Sequence, residues 1–220
     1  MEFEKIVEKY RENYFNLFKE YYPARGNAGI MEANQTYNFI SAVKQVYPNA
    51  VACLEVPIEN EKKEYRNYID AAIFITDLKI MLLVESKRIS TPAEKFRSMG
   101  RDINRVISTS SVKSVMDYLV DGDIYMPYIV VLADVWTSDK KAAKTKIYED
   151  WQDDLCKQSK YYEYLGIESS TKKVLQNKHF YRESFSSTDI PLRNKHEEIK
   201  WLDSYKLLIF TAKLCFHQAS

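Results

Sequence analysis

Two neighbouring apolar runs, YIDAAIFIT (68–76) and IMLLVESKR (80–88), read as buried strands, yet they carry Asp70, Glu85 and Lys87. An antiparallel hairpin with any even-length loop centred on Asp77 and Leu78 places Asp70 opposite Glu85. Directly opposed residues have Cβ atoms about 5 Å apart. At that separation both carboxylates reach one divalent cation at about 2.1 Å per oxygen. Side chains alternate along a strand, so Lys87 shares a face with Glu85 and Ser86 takes the other. Two acids and a lysine therefore converge, in apolar surroundings where an unpaired charge costs several kcal/mol or more. A metal with a bound phosphate satisfies all three groups; a structural salt bridge between Lys87 and the acids is the alternative.

The short motif by itself discriminates poorly. Acid-x-Lys also occurs at Glu61-Lys62-Lys63, Asp77-Leu78-Lys79, Asp139-Lys140-Lys141 and Glu198-Ile199-Lys200. Only Glu85-Ser86-Lys87 ends a continuous apolar strand and has a partner acid on the strand before it.

On these residues the chain resembles the PD-(D/E)XK nuclease superfamily. Its core is a helix, a three-strand meander bearing Asp and then Glu-x-Lys, a helix, and a further strand. The matching stretch runs from about 27 to 136, with Ile69-Asp70 in place of the family's Pro-Asp and Glu85-Ser86-Lys87 as its (D/E)XK element. The resemblance implies an α/β, restriction-endonuclease-like fold and a Mg²⁺-dependent DNA phosphodiesterase in which Mn²⁺ substitutes. It implies catalytic roles for Asp70, Glu85 and Lys87, with metal held by Asp70, Glu85 and the Ser86 backbone carbonyl. In the family a glutamate on the first core helix often completes the set, and Glu32 is its candidate here. A nuclease-fold module that binds or assembles on nucleic acid without turnover, and a nuclease directed at RNA, are the competing expectations. Restriction-type relatives are often dimers, so a homodimer is expected.

The remaining elements follow from periodicity. Phe3, Ile6, Val7, Tyr10, Tyr14, Leu17, Phe18 and Tyr21 recur at helical spacing over 2–22, ended by Pro23 and the glycines at 26 and 29. A second helix over about 29–47 puts Glu32 on the stripe of Thr36, Phe39, Val43 and Val46. The alternative is a Glu32 facing solvent in the first turn, where the helix dipole favours acids. Residues 50–58 read as a first strand, with Glu55 a weaker site candidate. Thr91-Pro92-Ala93-Glu94 starts another helix, with Phe96, Met99, Ile103 and Val106 or Ile107 inward. Arg97, Arg101 and Arg105 share its flank. In the family this helix often lends a polar residue to the site, so Arg97 or Arg101 is expected to fork onto a phosphate, and Arg105 is expected on a solvated face. A short helix near 111–120 leads to the apolar strand 125–136.

At 220 residues, with 45% hydrophobic and 29% charged residues, the chain reads as a single soluble domain. A nuclease core is followed by a polar helical extension over about 137–220. There, 137–195 mixes lysines with aromatics, and Lys172, Lys173 and Lys178 are candidate nucleic-acid contacts; an ordinary helical hairpin is the alternative. The last stretch, with Ile199, Leu202, Tyr205, Ile209 and Phe216, reads as a closing helix. A formal net charge of +1 says nothing about the partner. No apolar run approaches the roughly 20 residues of a membrane span, and the charged start lacks a signal-peptide core, so a cytoplasmic location without membrane contact is expected. Three widely spaced cysteines without a CxxC suggest neither a disulfide framework nor a zinc ribbon.

Overall fold

The computed structural model describes residues 1–20, 31–58, 67–89, 101–118, 124–137, 175–186 and 204–215. It is a mixed α/β fold built on a six-stranded sheet with helices on both faces. The elements are α1 (Phe3–Glu20), α2 (Glu32–Val46), β1 (Val51–Ile58), β2 (Asn67–Ile75), β3 (Ile80–Ile89), helical residues 101–106 (α3), α4 (Thr109–Asp117), β4 (Met126–Thr137), β5 (Leu175–Ser186) and β6 (Ser204–Leu214). No helix among the described residues is long and apolar enough to cross a membrane.

Strand order is β1-β2-β3-β4-β6-β5. The first three strands form an antiparallel meander, and β4 then pairs parallel to β3. Parallel neighbours need a crossover, and α3 and α4 lie in it. Their residues Ile103, Val106, Ile107, Val112 and Val115 pack on one face of the sheet with Met81, Leu83, Ile129 and Val131. The opposite face takes the amphipathic stripe of α1 (Phe3, Ile6, Val7, Tyr10, Tyr14) together with Phe39 and Val43 of α2. The central strands are buried on both faces, so their runs are apolar throughout instead of alternating. Helix α1 also reaches the C-terminal strands: Arg11 pairs with Glu183 at 3.1 Å, and the Tyr181 hydroxyl donates to Glu4.

The expected closing helix is a strand. Residues 204–214 form β6, inserted between β4 and β5, and 175–186 form β5 on the sheet edge. From Tyr205 to Leu214 most side chains are buried on one face or the other. A short continuous apolar run of this kind carries no period that separates strand from helix. The apparent three- and four-residue spacing depended on Ile199, Leu202 and Phe216, which lie outside the described residues. Among the described residues of the C-terminal addition, two strands that join the sheet stand where helix was expected. Cys53 and Cys215 are free thiols.

On the α1 side of β4, Asp134 is almost completely buried and accepts a hydrogen bond from the Tyr205 hydroxyl. Tyr14 stacks obliquely on Tyr205, their ring centroids 6.0 Å apart. Burial pushes the Asp134 carboxyl up to about 7, against the opposing pull of the Tyr205 hydroxyl and of Arg88. Its Oδ1 is buried and has no hydrogen-bond partner among the described residues, as suits a protonated acid. A carboxyl whose folded pKa is raised contributes stability that is complete below its ordinary pKa near 3.8 and is lost as pH rises through about 7. Asp134→Asn should therefore come nearest the wild type in thermal melts at or below about pH 4 and gain on it steadily as pH rises to about 7. Its melting curve should lack a slope of at most about 1.4 kcal/mol per pH unit.

Candidate active site

The sheet forks at Asp70. Pairing of β2 with β3 runs from Ile75↔Ile80 to Ala71↔Val84, the register of the hairpin reading, and it stops one position short of Asp70 and Glu85. There the β2–β3 ladder ends, while β2 continues along β1 to Asn67 and β3 continues along β4 to Ile89. On the β1 side the register position facing Asp70 is Glu55, an exposed residue held at φ 50, in the left-handed region that non-glycine residues rarely occupy. Both strands exchange the faces they present across this point. Ala71 and Ile73 pack toward α1 and α2, whereas Ile69, Val56 and Ile58 pack with the α3 side. A local bulge-like distortion of this kind re-aims side chains.

One hydrogen bond spans the fork. The Ser86 backbone N–H donates to Asp70 Oδ2 at 2.7 Å. From the other face, the first turns of α2 hold three consecutive residues of β3. The Thr36 and Ser86 hydroxyls are 2.7 Å apart, Gln35 Nε2 donates to the Lys87 carbonyl at 3.3 Å, and the Arg88 N–H donates to Glu32 Oε1 at 2.9 Å. Thr36 also donates to the Glu32 carbonyl, so its hydroxyl accepts from Ser86. Glu32 thus reaches the strand end from the first helical turn, as its place on the inward stripe predicts, with one oxygen already engaged by Arg88.

On the α3 face the charges form a chain. Arg105 Nη2 lies 3.0 Å from Glu85 Oε1, Arg105 Nη1 lies 3.3 Å from Asp102 Oδ1, and Asp102 Oδ2 lies 2.8 Å from Lys87 Nζ. Three acids (Asp70, Glu85 and Asp102) meet two side-chain cations, Lys87 and Arg105, on this face, while Glu32 and Arg88 add one charge of each sign from the α2 side. The acids exceed the bases by one, and they are also desolvated. Burial, followed by the charge of Asp70, pushes the Glu85 carboxyl up to about 8, although Arg105 and Lys87 pull it down. Burial likewise raises Asp70, opposed by the Ser86 N–H and Lys87. For Lys87, burial lowers the pKa, but Asp102, Glu85 and Glu32 outweigh it, and the ammonium is held above its ordinary value. Lys87 is therefore a cation at neutral pH.

Asp70, Glu85, Ser86, Lys87 and Glu32 all gather at the fork. The expectation for the arginines is corrected: Arg105, assigned to a solvated face, is the one that touches Glu85, and Arg101 is exposed. Helical spacing places the three arginines on one flank, but only the azimuth of the docked helix decides which of them faces β3. Arg97 lies outside the described residues, as do Lys172 and Lys173. Lys178 lies on β5, three strands from β3 and hence about 14 Å away across the sheet. Sequence reasoning missed Asp102, whose signal is its position one helical turn before Arg105, and it missed Gln35, an amide on the inward stripe of α2.

Among the described residues no three His, Cys, Asp or Glu side chains gather as a metal-ligand group. The fork offers a sparser set, Asp70 and Glu85 with the Ser86 carbonyl, all of them hard oxygen donors. Mg²⁺ commonly takes one or two carboxylates and fills its shell with water and substrate phosphate. The set fits such a cation, whose charge would oppose the burial that chiefly raises both acids and the repulsion between them. Compared with known proteins, the chain matches no protein-family model, no curated protein and no solved structure.

Two measurements test this geometry. Glu85 contributes stability while it keeps its proton and loses that contribution as pH rises through about 8. In metal-free thermal melts, Glu85→Gln should therefore gain on the wild type as pH rises from about 6 to about 9; an unchanged difference would place Glu85 outside the strained cluster. Thr36→Val leaves the buried Ser86 hydroxyl without its acceptor and should cost about 1–3 kcal/mol in denaturant unfolding. In the Thr36→Val/Ser86→Ala double variant the second substitution should add little.

Proposed function

We propose that the chain is a Mg²⁺-dependent nuclease of the PD-(D/E)XK type, built on the restriction-endonuclease-like core and hydrolysing phosphodiester bonds of DNA, with Mn²⁺ able to replace Mg²⁺. The reading is carried by the fork itself. Asp70 and Glu85 are the first residues past the end of the β2–β3 ladder, where three acids meet only Lys87 and Arg105. The order helix, antiparallel meander, crossover helices and parallel strand supports the same fold.

In this reading Asp70, Glu85 and the Ser86 carbonyl would hold the cation, with Glu32 a further candidate donor. When bound it would supply charge neutralisation at the scissile phosphate and lower the pKa of a water. The Ser86 N–H keeps the Asp70 carboxylate in place, and α2 fixes the backbone of residues 86–88 from behind, so the donors are set before substrate arrives. Lys87, being protonated, donates a hydrogen bond to a phosphate oxygen or to the attacking water and does not abstract a proton. A second reading, a nucleic-acid-binding module without turnover, is favoured by one observation: Arg105 already neutralises part of the Glu85 charge.

A cleavage assay on supercoiled and linear duplex DNA, single-stranded DNA and RNA, with Mg²⁺ or Mn²⁺, separates these readings. Asp70→Asn and Glu85→Gln should each lower the rate by at least about 100-fold while the fold is kept. Lys87→Ala should lose cleavage and keep calorimetric metal binding. Full activity of Asp70→Asn at saturating Mg²⁺ would sink the assignment. Metal binding without cleavage of any of the four substrates would favour the binding module.

A further inference from the structure

Arg105 is held by two acids of different kinds. Glu85 belongs to β3 and is almost wholly buried, whereas Asp102 is on Arg105's own helix, three residues earlier. The first partner belongs to the candidate metal set. The second moves with the arginine. Arg105 is about one-third exposed, so the guanidinium sits at the mouth of the site, between Glu85 and solvent. Its Nε is buried and has no hydrogen-bond partner among the described residues. Asp102 is shared in turn with Lys87, at 2.8 Å, so one carboxylate positions both cations of the cluster.

We propose that Arg105 is a tethered counter-ion: it occupies Glu85 in the metal-free protein, yields it to a divalent cation, and then presents its guanidinium to a phosphodiester, with Asp102 as the tether. This rests on the metal-dependent nuclease reading. Arg105 and the cation would compete for the Glu85 carboxylate, which a divalent ion would attract more strongly than a guanidinium does. Release from Glu85 leaves Nη1 on Asp102 and frees Nη2. Nη2 and the unpartnered Nε lie along one edge of the guanidinium, the fork that fits two oxygens of a phosphate. Asp102 is a positioning residue: without it the arginine has only Glu85 to pair with, and Lys87 loses its anchor.

The test is Mn²⁺ binding to the nucleic-acid-free protein, followed by electron paramagnetic resonance, with thermal melts to establish that each variant is folded. Arg105→Gln removes the competitor and should tighten Mn²⁺ about tenfold. Asp102→Asn should loosen it, because Arg105 then pairs with Glu85 alone. Arg105→Lys, which keeps a cation, should stay near the wild type. In a Lys87→Ala background, Arg105→Gln should weaken Mn²⁺-dependent binding of a short DNA duplex and leave binding in a metal chelator unchanged. Charge alone also moves the two Mn²⁺ affinities in opposite directions, so the discriminating result is the Mn²⁺-dependent loss of DNA binding in Arg105→Gln, and the absence of that loss overturns the proposal. If the wild type binds Mn²⁺ and Arg105→Gln binds it no more tightly, the proposal fails and the metal-site reading stands. If neither protein binds Mn²⁺, both fail. Should Arg105→Gln not fold, unchanged or tighter Mn²⁺ binding by Asp102→Asn overturns the tether.

Discussion

The hydrogen bond from the Ser86 N–H to the Asp70 carboxylate sits where the sheet divides, and the candidate site depends on that division. In an uninterrupted ladder the Ser86 amide would pair with a backbone carbonyl, and β2 and β3 would stay closed to their ends. Here a side chain takes the amide, β2 departs with β1, and β3 goes on beside β4. Buried backbone donors are almost always satisfied, so the carboxylate substitutes for the lost strand partner. The opening this creates is lined by strand residues, whose positions are far more constrained than those of a loop.

The opposite face supports the same segment. Ser86, Lys87 and Arg88 are each held by α2, through Thr36, Gln35 and Glu32 respectively. Gln35 and Thr36 are buried polar residues, and burying them is unfavourable unless they are hydrogen-bonded. Their partners on β3 are the compensation, which ties the docking of α2 to the geometry of the strand end. Arg88 links this face to the Asp134–Tyr205 pair, whose acid it pulls down electrostatically. Both sets of contacts lie on the α1–α2 face, and Lys87 carries the same segment to the α3 face through Asp102.

The acids of this cluster are not paired one to one with bases. A network selected for stability alone would pair each acid with a base, because breaking the pairing of buried charges costs more than forming it gains. At the fork, desolvation of Glu85 and repulsion from Asp70 prevail over Arg105 and Lys87, and the carboxyl is displaced upward even with an arginine at 3.0 Å. Perturbed acids concentrated at one strand end are a feature of functional sites, though not confined to them.

The hairpin, its register and the meeting of Asp70, Glu85 and Lys87 were legible in the residues, because strand alternation and a short turn are local properties. The same holds for the stripes of α1 and α2 and for the inward position of Glu32. What lay beyond the sequence was non-local. Whether 204–214 is helix or strand depended on the open edge of β4, since an apolar run buried on both faces has no period of its own. Which arginine meets Glu85 depended on the rotation of α3 about its axis, set by Ile103, Val106 and Ile107 packing on the sheet. Asp102 acquired significance only when that rotation brought it against Lys87. The sequence by itself determined which groups carry the charge at the strand end; the tertiary structure decided which groups balance it, because those partners come from helices whose orientation only long-range packing sets.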